Sequence, residues 1–227
     1  MQLARNIAGF PQTVCLQRIL PALVQQVELG NSADGSQRVV DKWKVMTLAP
    51  LAQISPHVSP QQFKEQVEPI ILRFFASKNR MTRVMVLQNC GGFIGQLNAD
   101  LVNTKIYPDV ESGFADTNTT MREETIKAMV SLAPVLNAAN LGRVLQQFNR
   151  LMLTTKDQPD CAFLRENCVI CAQHIATYIH AAGLQMQLLK LCWIPVSSSL
   201  DTFDLRAQNI LFNSDFFNAL GIVGRRH

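Results

Sequence analysis

The stretch ADLVNTKIYPDVESGFADTNTTMREETIKAMVSLAPVL, from Ala99 to Leu136, decides the fold because its pattern of apolar residues, proline and charge recurs 39 residues earlier. Six residue pairs share this offset: Pro69 and Pro108, Phe75 and Phe114, Ala76 and Ala115, Asn79 and Asn118, Arg83 and Arg122, and Leu97 and Leu136. A constant offset at six positions predicts an internal repeat.

Each repeat is predicted to contain two helices. The first helix has apolar residues at the spacing of one helix face: Val67, Ile70, Ile71, Phe74 and Phe75 in one repeat and Ile106, Val110 and Phe114 in the next. The second helix is predicted to begin near Thr120, because Thr120 and Glu123 have the spacing of a capping box. Its predicted buried face consists of Ile126, Met129, Val130, Ala133 and Leu136, matched by Leu87, Cys90, Gly91, Ile94 and Leu97. One pair of helices cannot bury the apolar sides of both its members, so neighbouring repeats must stack.

The outer repeats are more divergent. Residues 1–54 hold a first repeat, with a polar loop at 31–37 and a second helix from Val39 to Ile54. A fourth repeat covers 140–182; its inter-helix loop TTKDQPDC is longer, so Arg165 matches Arg122 at an offset of 43. After Gly183 the pattern fails, and a divergent fifth repeat, a cap or an altered sequence remain alternatives. The predicted organisation is a solenoid over residues 1–182 and a divergent cap or tail over 183–227.

A proline recurs inside the first helix of three repeats, as Pro21, Pro69 and Pro108. Proline removes one i to i−4 hydrogen bond and bends a helix. The shared position predicts a shared kink.

Composition agrees with a helical globular chain. The 227 residues are 48% hydrophobic and 17% charged, which excludes a disordered chain. The net charge of +4 comes from scattered Lys and Arg, whereas dedicated nucleic-acid binders concentrate them. The N-terminus has no apolar signal region, and no apolar run reaches the length of about 20 residues that spans a bilayer. The six cysteines lack the density of a secreted disulfide framework, so the expected location is cytoplasmic.

The sharpest charged feature is the pairing of Asp116, in the turn, with Arg122 in the second helix. Arg83, Arg122 and Arg165 are equivalent, so they would form a ladder along the stack. The favoured interpretation is that these residues cap the turn and join the repeats. The alternative is a ladder that binds a ligand.

The run from Cys90 to Gly95 superficially resembles a phosphate-binding loop, but no predicted strand precedes it. Alignment with Met129 to Pro134 places it inside a helix. Small residues that let helices approach closely are the favoured interpretation.

The turn, the arginine and the mid-helix proline resemble HEAT repeats. More specifically, LPALVQQVELGN, EQVEPIILRFF, FNRL and above all Val102 to Leu141 resemble the C-terminal repeat region of the Scy-like pseudokinases, the N-terminal-kinase-like proteins. The similarity covers about Phe10 to Ala182. It implies an all-α fold, an α-solenoid of HEAT/armadillo-like repeats, and a non-catalytic scaffold.

The resemblance also implies partners. Family members join an impaired kinase-like domain to a HEAT solenoid and are associated with Golgi and endosomal traffic, including coatomer and clathrin adaptors. Some relatives are linked to nuclear tRNA export, so weak tRNA binding is the alternative. This chain contains no Gly-rich loop with a strand lysine, no HRD segment and no DFG segment. It therefore lacks the motifs that a kinase needs for phosphoryl transfer.

A zinc site is the remaining candidate chemistry. Cys168 and Cys171, with Cys161 before them and His174 and His180 after them, are residue types that bind zinc. The resemblance implies that 168–180 lie in one helix, which spreads these side chains along it. Buried thiols are the favoured interpretation, and we predict no catalytic, cofactor-binding or metal-binding residues.

Overall fold

The computed structural model describes residues 9–29 and 37–197, with side chains described for 9–27 and 46–191. The described ranges contain helices and turns but no strand, which confirms the all-α prediction. Nearly all of the predicted loop at 31–37, and the chain after residue 197, lie outside the described residues.

Twelve α-helical segments follow one another in the described part of the chain. They are α1 (Gln12–Val14), α2 (Leu20–Leu29), α3 (Gln37–Ile54), α4 (Pro60–Gln62), α5 (Glu68–Phe75), α6 (Arg80–Asn89), α7 (Ala99–Leu101), α8 (Tyr107–Glu111), α9 (Thr119–Leu132), α10 (Ala138–Thr154), α11 (Ala162–Ile175) and α12 (Ala182–Ser197).

The chain divides into two compact units, residues 1–110 and 111–227. In the first unit, α3 packs against α2 and α6, and α5 packs against α6. Phe75 and Phe93 meet edge to face there, with ring centroids 6.2 Å apart. These contacts join the two helices of a hairpin and the second helices of neighbouring repeats.

The second unit repeats this arrangement. Helix α11 packs against α9 and α10, and α10 packs against α12. Phe114 and Phe148 meet edge to face at 5.9 Å. The apolar side of α10 lies in the core, since Val144 and Phe148 have no exposed surface.

Each repeated proline follows a π-helical segment. These segments are Cys15–Ile19, Phe63–Val67 and Val102–Ile106, and each ends two residues before Pro21, Pro69 or Pro108. The residue before each proline donates its amide to a carbonyl five residues back, as Glu68 does to Phe63. The predicted equivalence of the prolines is confirmed, and a π turn accommodates each one.

The fourth repeat lacks both features. Helix α10 is a continuous α-helix without a proline. Asn98 and Asn137 precede the first helices at an offset of 39, but the buried Ile106 and Val144 are offset by 38. The lost residue falls within the π segment Val102–Ile106, because a π turn holds one residue more than the corresponding α turn.

Equivalent 3₁₀ turns end the second helices. They are Ser55–His57, Ile94–Gln96, Ala133–Val135 and Ala176–Tyr178, and each precedes a buried apolar residue in an extended conformation: Val58, Leu97, Leu136 and Ile179. The next residue then caps the following helix in three repeats, as Asn137 does by accepting a hydrogen bond from the Asn140 amide at 2.9 Å.

The predicted capping box at Thr120 is wrong. Asn118 caps α9, because its side-chain oxygen accepts from the Met121 amide at 3.0 Å. Asn79 caps α6 in the same way through the Thr82 amide at 3.2 Å. Asparagine is as good a cap as threonine, and the Asn residue comes first along the chain.

The predicted buried face of the second helix needs two corrections. Val130 is 36% exposed and Gly91 is exposed, whereas the other eight predicted residues are buried. The prediction that 90–95 lie inside a helix is also wrong. Helix α6 ends at Asn89, and 3₁₀ turns cover Cys90–Gly92 and Ile94–Gln96. Glycine disfavours a regular helix, which explains the early end.

Candidate functional site

Arg165 is a structural residue. It is 8% exposed, and its Nη1 donates to the carbonyl oxygens of Thr155 and, at 3.2 Å, Gln158. Both carbonyls belong to the long loop between α10 and α11. The guanidinium therefore holds this loop against α11 and is not presented to a ligand.

Arg83 also binds the backbone. Its Nη2 donates to the carbonyl oxygen of Asp109 at 3.0 Å, within the first unit. This bond joins the second helix of one repeat to the first helix of the next. Such an inter-repeat contact is the role that the favoured interpretation gave to the repeated arginines.

Arg122 and Asp116 differ from the predicted pair. The Asp116 carboxylate accepts a hydrogen bond from the Asn118 amide at 2.8 Å, which stabilises the turn before α9. Within 37–197, the buried Nε of Arg122 has no hydrogen-bond partner. Two of the three arginines, Arg83 and Arg165, donate hydrogen bonds to backbone carbonyls. These contacts favour structural roles for the arginines over a ligand-binding ladder.

The cysteines of the candidate zinc site are packed in the core. Cys168 is 0% and Cys171 3% exposed, and both are free thiols. Burial raises the pKa of Cys168 well above its usual value, and burial raises the pKa of Cys171 to about 12 although Lys127 opposes the shift. These thiols are protonated at neutral pH, and thiolates are the forms that bind metals.

The other members of that cluster lie elsewhere. The Sγ of Cys161 contacts Oε1 of Gln158 at 3.3 Å in the loop before α11, while His174 and His180 are exposed. No group of three or more His, Cys, Asp or Glu side chains in the described part of the chain is arranged to hold a metal ion.

A polar contact within the second unit links Glu111 to α10. The Nε of Arg143 donates to Oε1 of Glu111 at 3.1 Å, and Nη2 binds the other carboxylate oxygen. Gln147 donates to the same Oε1 at 3.3 Å. This bidentate pair holds Glu111 against α10.

The outer side of α9 and α11 is a mixed surface that we call the α9–α11 face. It consists of Glu123, Lys127 and Val130 of α9 and of Asn167 and Ile170 of α11, on the side of each helix away from the core. Lys127 pairs with Glu123 at 2.6 Å, and this bond raises the pKa of Lys127. Val130 lies on the same side of α9 as this charged pair, and an exposed valine beside charged groups can contact a protein partner.

Sequence reasoning missed this face because Val130 was predicted to be buried. The signal was present, since Glu123, Lys127 and Val130 follow the i, i+4, i+7 spacing of one helix side. An acidic and a basic residue four positions apart indicate a solvated face. Within the described residues, none of the helices combines the length and apolar character needed to cross a bilayer.

Comparisons with known proteins place the chain among helical repeat proteins. No family model matches it. A crystal structure of Cex1p is similar with a TM-score of 0.61 and 16% sequence identity, covering 92% of this chain and 44% of that one. This similarity and the packed helical hairpins confirm the fold class, an α-solenoid of HEAT/armadillo-like repeats.

The sequence is also similar to a curated protein. It is 31% identical over 188 residues to the "Probable inactive serine/threonine-protein kinase scy1" of Dictyostelium discoideum. The match covers 83% of this chain, and the chain spans only 21% of the length of that relative. The relative's name agrees with the prediction that this chain is not an enzyme. The resemblance of the chain to the Scy-like pseudokinase family, indicated by its repeats, is thus confirmed.

Proposed function

We propose that this chain is a non-catalytic HEAT-repeat scaffold that binds coat or adaptor proteins of intracellular vesicle traffic, at coatomer-coated Golgi membranes or with clathrin adaptors. The observation that carries the proposal is the confirmed family resemblance combined with a repeat fold. A protein of this kind would act from the cytoplasm, peripherally at Golgi or endosomal membranes. Its contribution would be geometric, because it would hold partners in fixed positions.

The α9–α11 face is the proposed contact surface within the second unit. Val130, at 36% exposure, supplies an apolar centre, and the Glu123–Lys127 pair supplies charge beside it. Protein interfaces commonly combine an apolar core with a polar rim. The packing of α9 against α11 fixes the spacing of these groups before a partner arrives.

A pull-down with purified coatomer and clathrin-adaptor subunits tests the function. We expect capture of at least one subunit class, and a Val130→Glu variant should capture at least tenfold less. Met81→Glu is the matched control, because Met81 is 63% exposed on α6 in the other unit. Equal capture by wild type and Val130→Glu would contradict the α9–α11 face as the contact surface, but it would not contradict the scaffold function. Absence of capture near cellular concentrations would remove the trafficking role.

Binding to tRNA is the alternative function and has its own test. Arg165 is only 8% exposed and Arg83 is half-buried, which limits the contact of their guanidinium groups with phosphates. We therefore expect no measurable tRNA affinity at physiological salt. An affinity that is strong at low salt and falls steeply as salt rises would instead favour the RNA-binding alternative.

A further inference from the structure

Helices α10 and α12 lie side by side in the second unit. A Cβ atom added at Gly142 of α10 would come within 3.1 Å of Leu184 of α12, which shows how closely the two helices approach. Phe148 of α10 and Leu188 of α12 are fully buried, so each helix turns one side to the core. The outer sides of the two helices therefore adjoin one another.

Exposed apolar and basic residues share this outer surface. Gln146, Arg150 and Leu153 follow the i, i+4, i+7 spacing of one side of α10, and all three are exposed, Leu153 by 56%. On α12, Met186 is 54% exposed, and Lys190, four positions later, is exposed as well. We call Arg150, Leu153, Met186 and Lys190 the α10–α12 face.

The two cations of this face lie at similar heights along the helices. Helix α11 reverses the chain between α10 and α12, so both run in the same direction. Arg150 comes eight residues after Gly142, and Lys190 comes six residues after Leu184. At a rise of about 1.5 Å per residue, the two Cα atoms differ by only about 3 Å in height above that close contact. Packed helices have axes about 8 to 10 Å apart, so one partner segment can reach both side chains.

No acidic residue offsets this charge within the two helices. The sequences of α10 and α12 contain Arg143, Arg150 and Lys190 but no Asp or Glu. Arg143 is paired with Glu111, whereas neither Arg150 nor Lys190 forms an ion pair with any residue that the structure describes. The loop 155–160 after α10, with one Lys and two Asp, adds one net negative charge, so the face with its loop stays positive. The chemistry that complements this face is acidic and partly apolar.

We propose that the α10–α12 face binds an acidic segment of a partner protein, one that also carries large apolar side chains. The planar guanidinium of Arg150 can bind a carboxylate through two parallel hydrogen bonds. Leu153 and Met186 supply the apolar contact, and the flexible methionine side chain adapts to irregular surfaces. A nucleic acid fits less well, because two cations neutralise few phosphates. This surface is separate from the α9–α11 face and does not depend on the proposed coat or adaptor role.

Fluorescence anisotropy of the full-length chain with two labelled peptides tests the proposal. The peptides share their leucines and differ only in carrying Glu or Lys at the other positions. The Glu peptide should bind at least tenfold more tightly than the Lys peptide, and Arg150→Glu with Lys190→Glu should weaken its binding at least tenfold. The matched control is Lys64→Glu with Lys105→Glu, since both lysines are exposed on first helices of the other unit, and it should change the affinity less than twofold. Equal weakening by both pairs would overturn the proposal, because net charge alone would then explain the binding.

Single variants test the apolar part of the face and its independence from the α9–α11 face. Leu153→Ser should weaken binding of the Glu peptide at least threefold while the circular dichroism spectrum stays unchanged. An unchanged affinity in Leu153→Ser would overturn the apolar contact. Val130→Glu should keep the affinity for the Glu peptide within twofold, so failure of the proposed function and failure of this inference are seen separately.

Two other occupants of the face are distinguished by further measurements. Sedimentation velocity should show the same oligomeric state for wild type and for Arg150→Glu with Lys190→Glu. A dimer that dissociates only in this variant would mean that a second copy occupies the face, and the proposal would be wrong. Binding to vesicles of phosphatidylserine and phosphatidylcholine without binding to the Glu peptide would likewise overturn it, in favour of a membrane contact.

Discussion

At the scale of single residues, Gly92 shows why a glycine is needed beside α3. A Cβ atom at Gly92 would lie 2.7 Å from the Ala52 Cβ and 2.8 Å from the Ala52 carbonyl carbon, so backbone would have to move. We expect Gly92→Ala to lower the free energy of unfolding by about 1 to 3 kcal/mol. Urea titration followed by circular dichroism measures the change.

Gly95 is the matched control for this prediction. A Cβ atom there would meet nothing within 4 Å, although Gly95 lies in the same glycine-rich turn region. Gly95→Ala should therefore be neutral or stabilising by up to about 1 kcal/mol, since it restricts the unfolded chain. Equal destabilisation by both variants would show that the approach to Ala52 is not the cause.

Arg165 supports a second prediction at this scale. Arg165→Met keeps most of the side-chain volume but removes the donors to the carbonyls of Thr155 and Gln158. We expect a loss of about 1 to 3 kcal/mol, because these hydrogen bonds involve a charged donor and a largely buried site. Limited proteolysis should also cleave the 155–160 loop faster.

The exposed Arg150 of α10 provides the comparison for Arg165. Arg150→Met should change stability by less than about 0.5 kcal/mol, as is usual for surface substitutions. The sequence predicted where Arg165 lies, from its offset of 43 to Arg122. It could not predict its hydrogen bonds, because the acceptors are carbonyls of a loop that is longer here than in the second and third repeats.

At the scale of helices, the π segments explain a change in the repeat length. From its cap at Asn98 to the buried Ile106, the first helix of the third repeat is one residue longer than the equivalent span of α10, from Asn137 to Val144. The extra residue falls within Val102–Ile106, just before Pro108. In a regular α-helix Pro108 would clash with the carbonyl four residues earlier. The extra residue and the proline are therefore expected to depend on each other.

A deletion tests this dependence. Deleting the exposed Thr104 should restore an α-helix and leave Pro108 with a clash that costs about 3 kcal/mol. Deleting Thr104 together with Pro108→Gln, which copies Gln146 of α10, should recover most of that loss. Urea unfolding of the two variants and of Pro108→Gln alone completes a double-mutant cycle. A deletion cost that is the same with proline or glutamine would contradict the dependence.

Much of the helical pattern could be predicted from the sequence, because apolar residues at helical spacing indicate which side of a helix is buried. Ile126, Met129 and Leu97 are buried as predicted. The π segments could not be predicted from the sequence. A proline shows that one backbone amide is missing, but it does not show how the helix adapts to that loss. The exposure of Val130 was missed because spacing alone does not separate the edge of a buried face from the solvated side.

At the scale of the whole molecule, the family resemblance predicted the fold class correctly. The sequence could not show what α12 contacts, because its residues are out of register with the repeats and its neighbours depend on tertiary packing. For the same reason the division between a solenoid at 1–182 and a cap at 183–227 stays a prediction. The arginines were identified as equivalent by spacing, but only their contacts separate a structural role from a ligand-binding one.

The buried thiols predict how the stability of the whole chain responds to pH. Burial raises the pKa of Cys171 from 9.0 to about 12 and raises that of Cys168 well above 9.0. Between about pH 9 and pH 12 the folded chain therefore holds protons that the unfolded chain releases. Stability is fully present below pH 9 and falls as pH rises, by about 1 kcal/mol per thiol at pH 10.

Urea unfolding at pH 8 and pH 10 measures this loss. Lysine and tyrosine also titrate in this range, so the comparison is with a Cys168→Ala, Cys171→Ala double variant. The cavities left by the two Cys→Ala substitutions lower stability at both pH values, but alanine has no group that titrates. The decrease between pH 8 and pH 10 should therefore be smaller in the double variant by about 2 kcal/mol. An identical decrease in both proteins would show that these thiols do not couple protonation to folding.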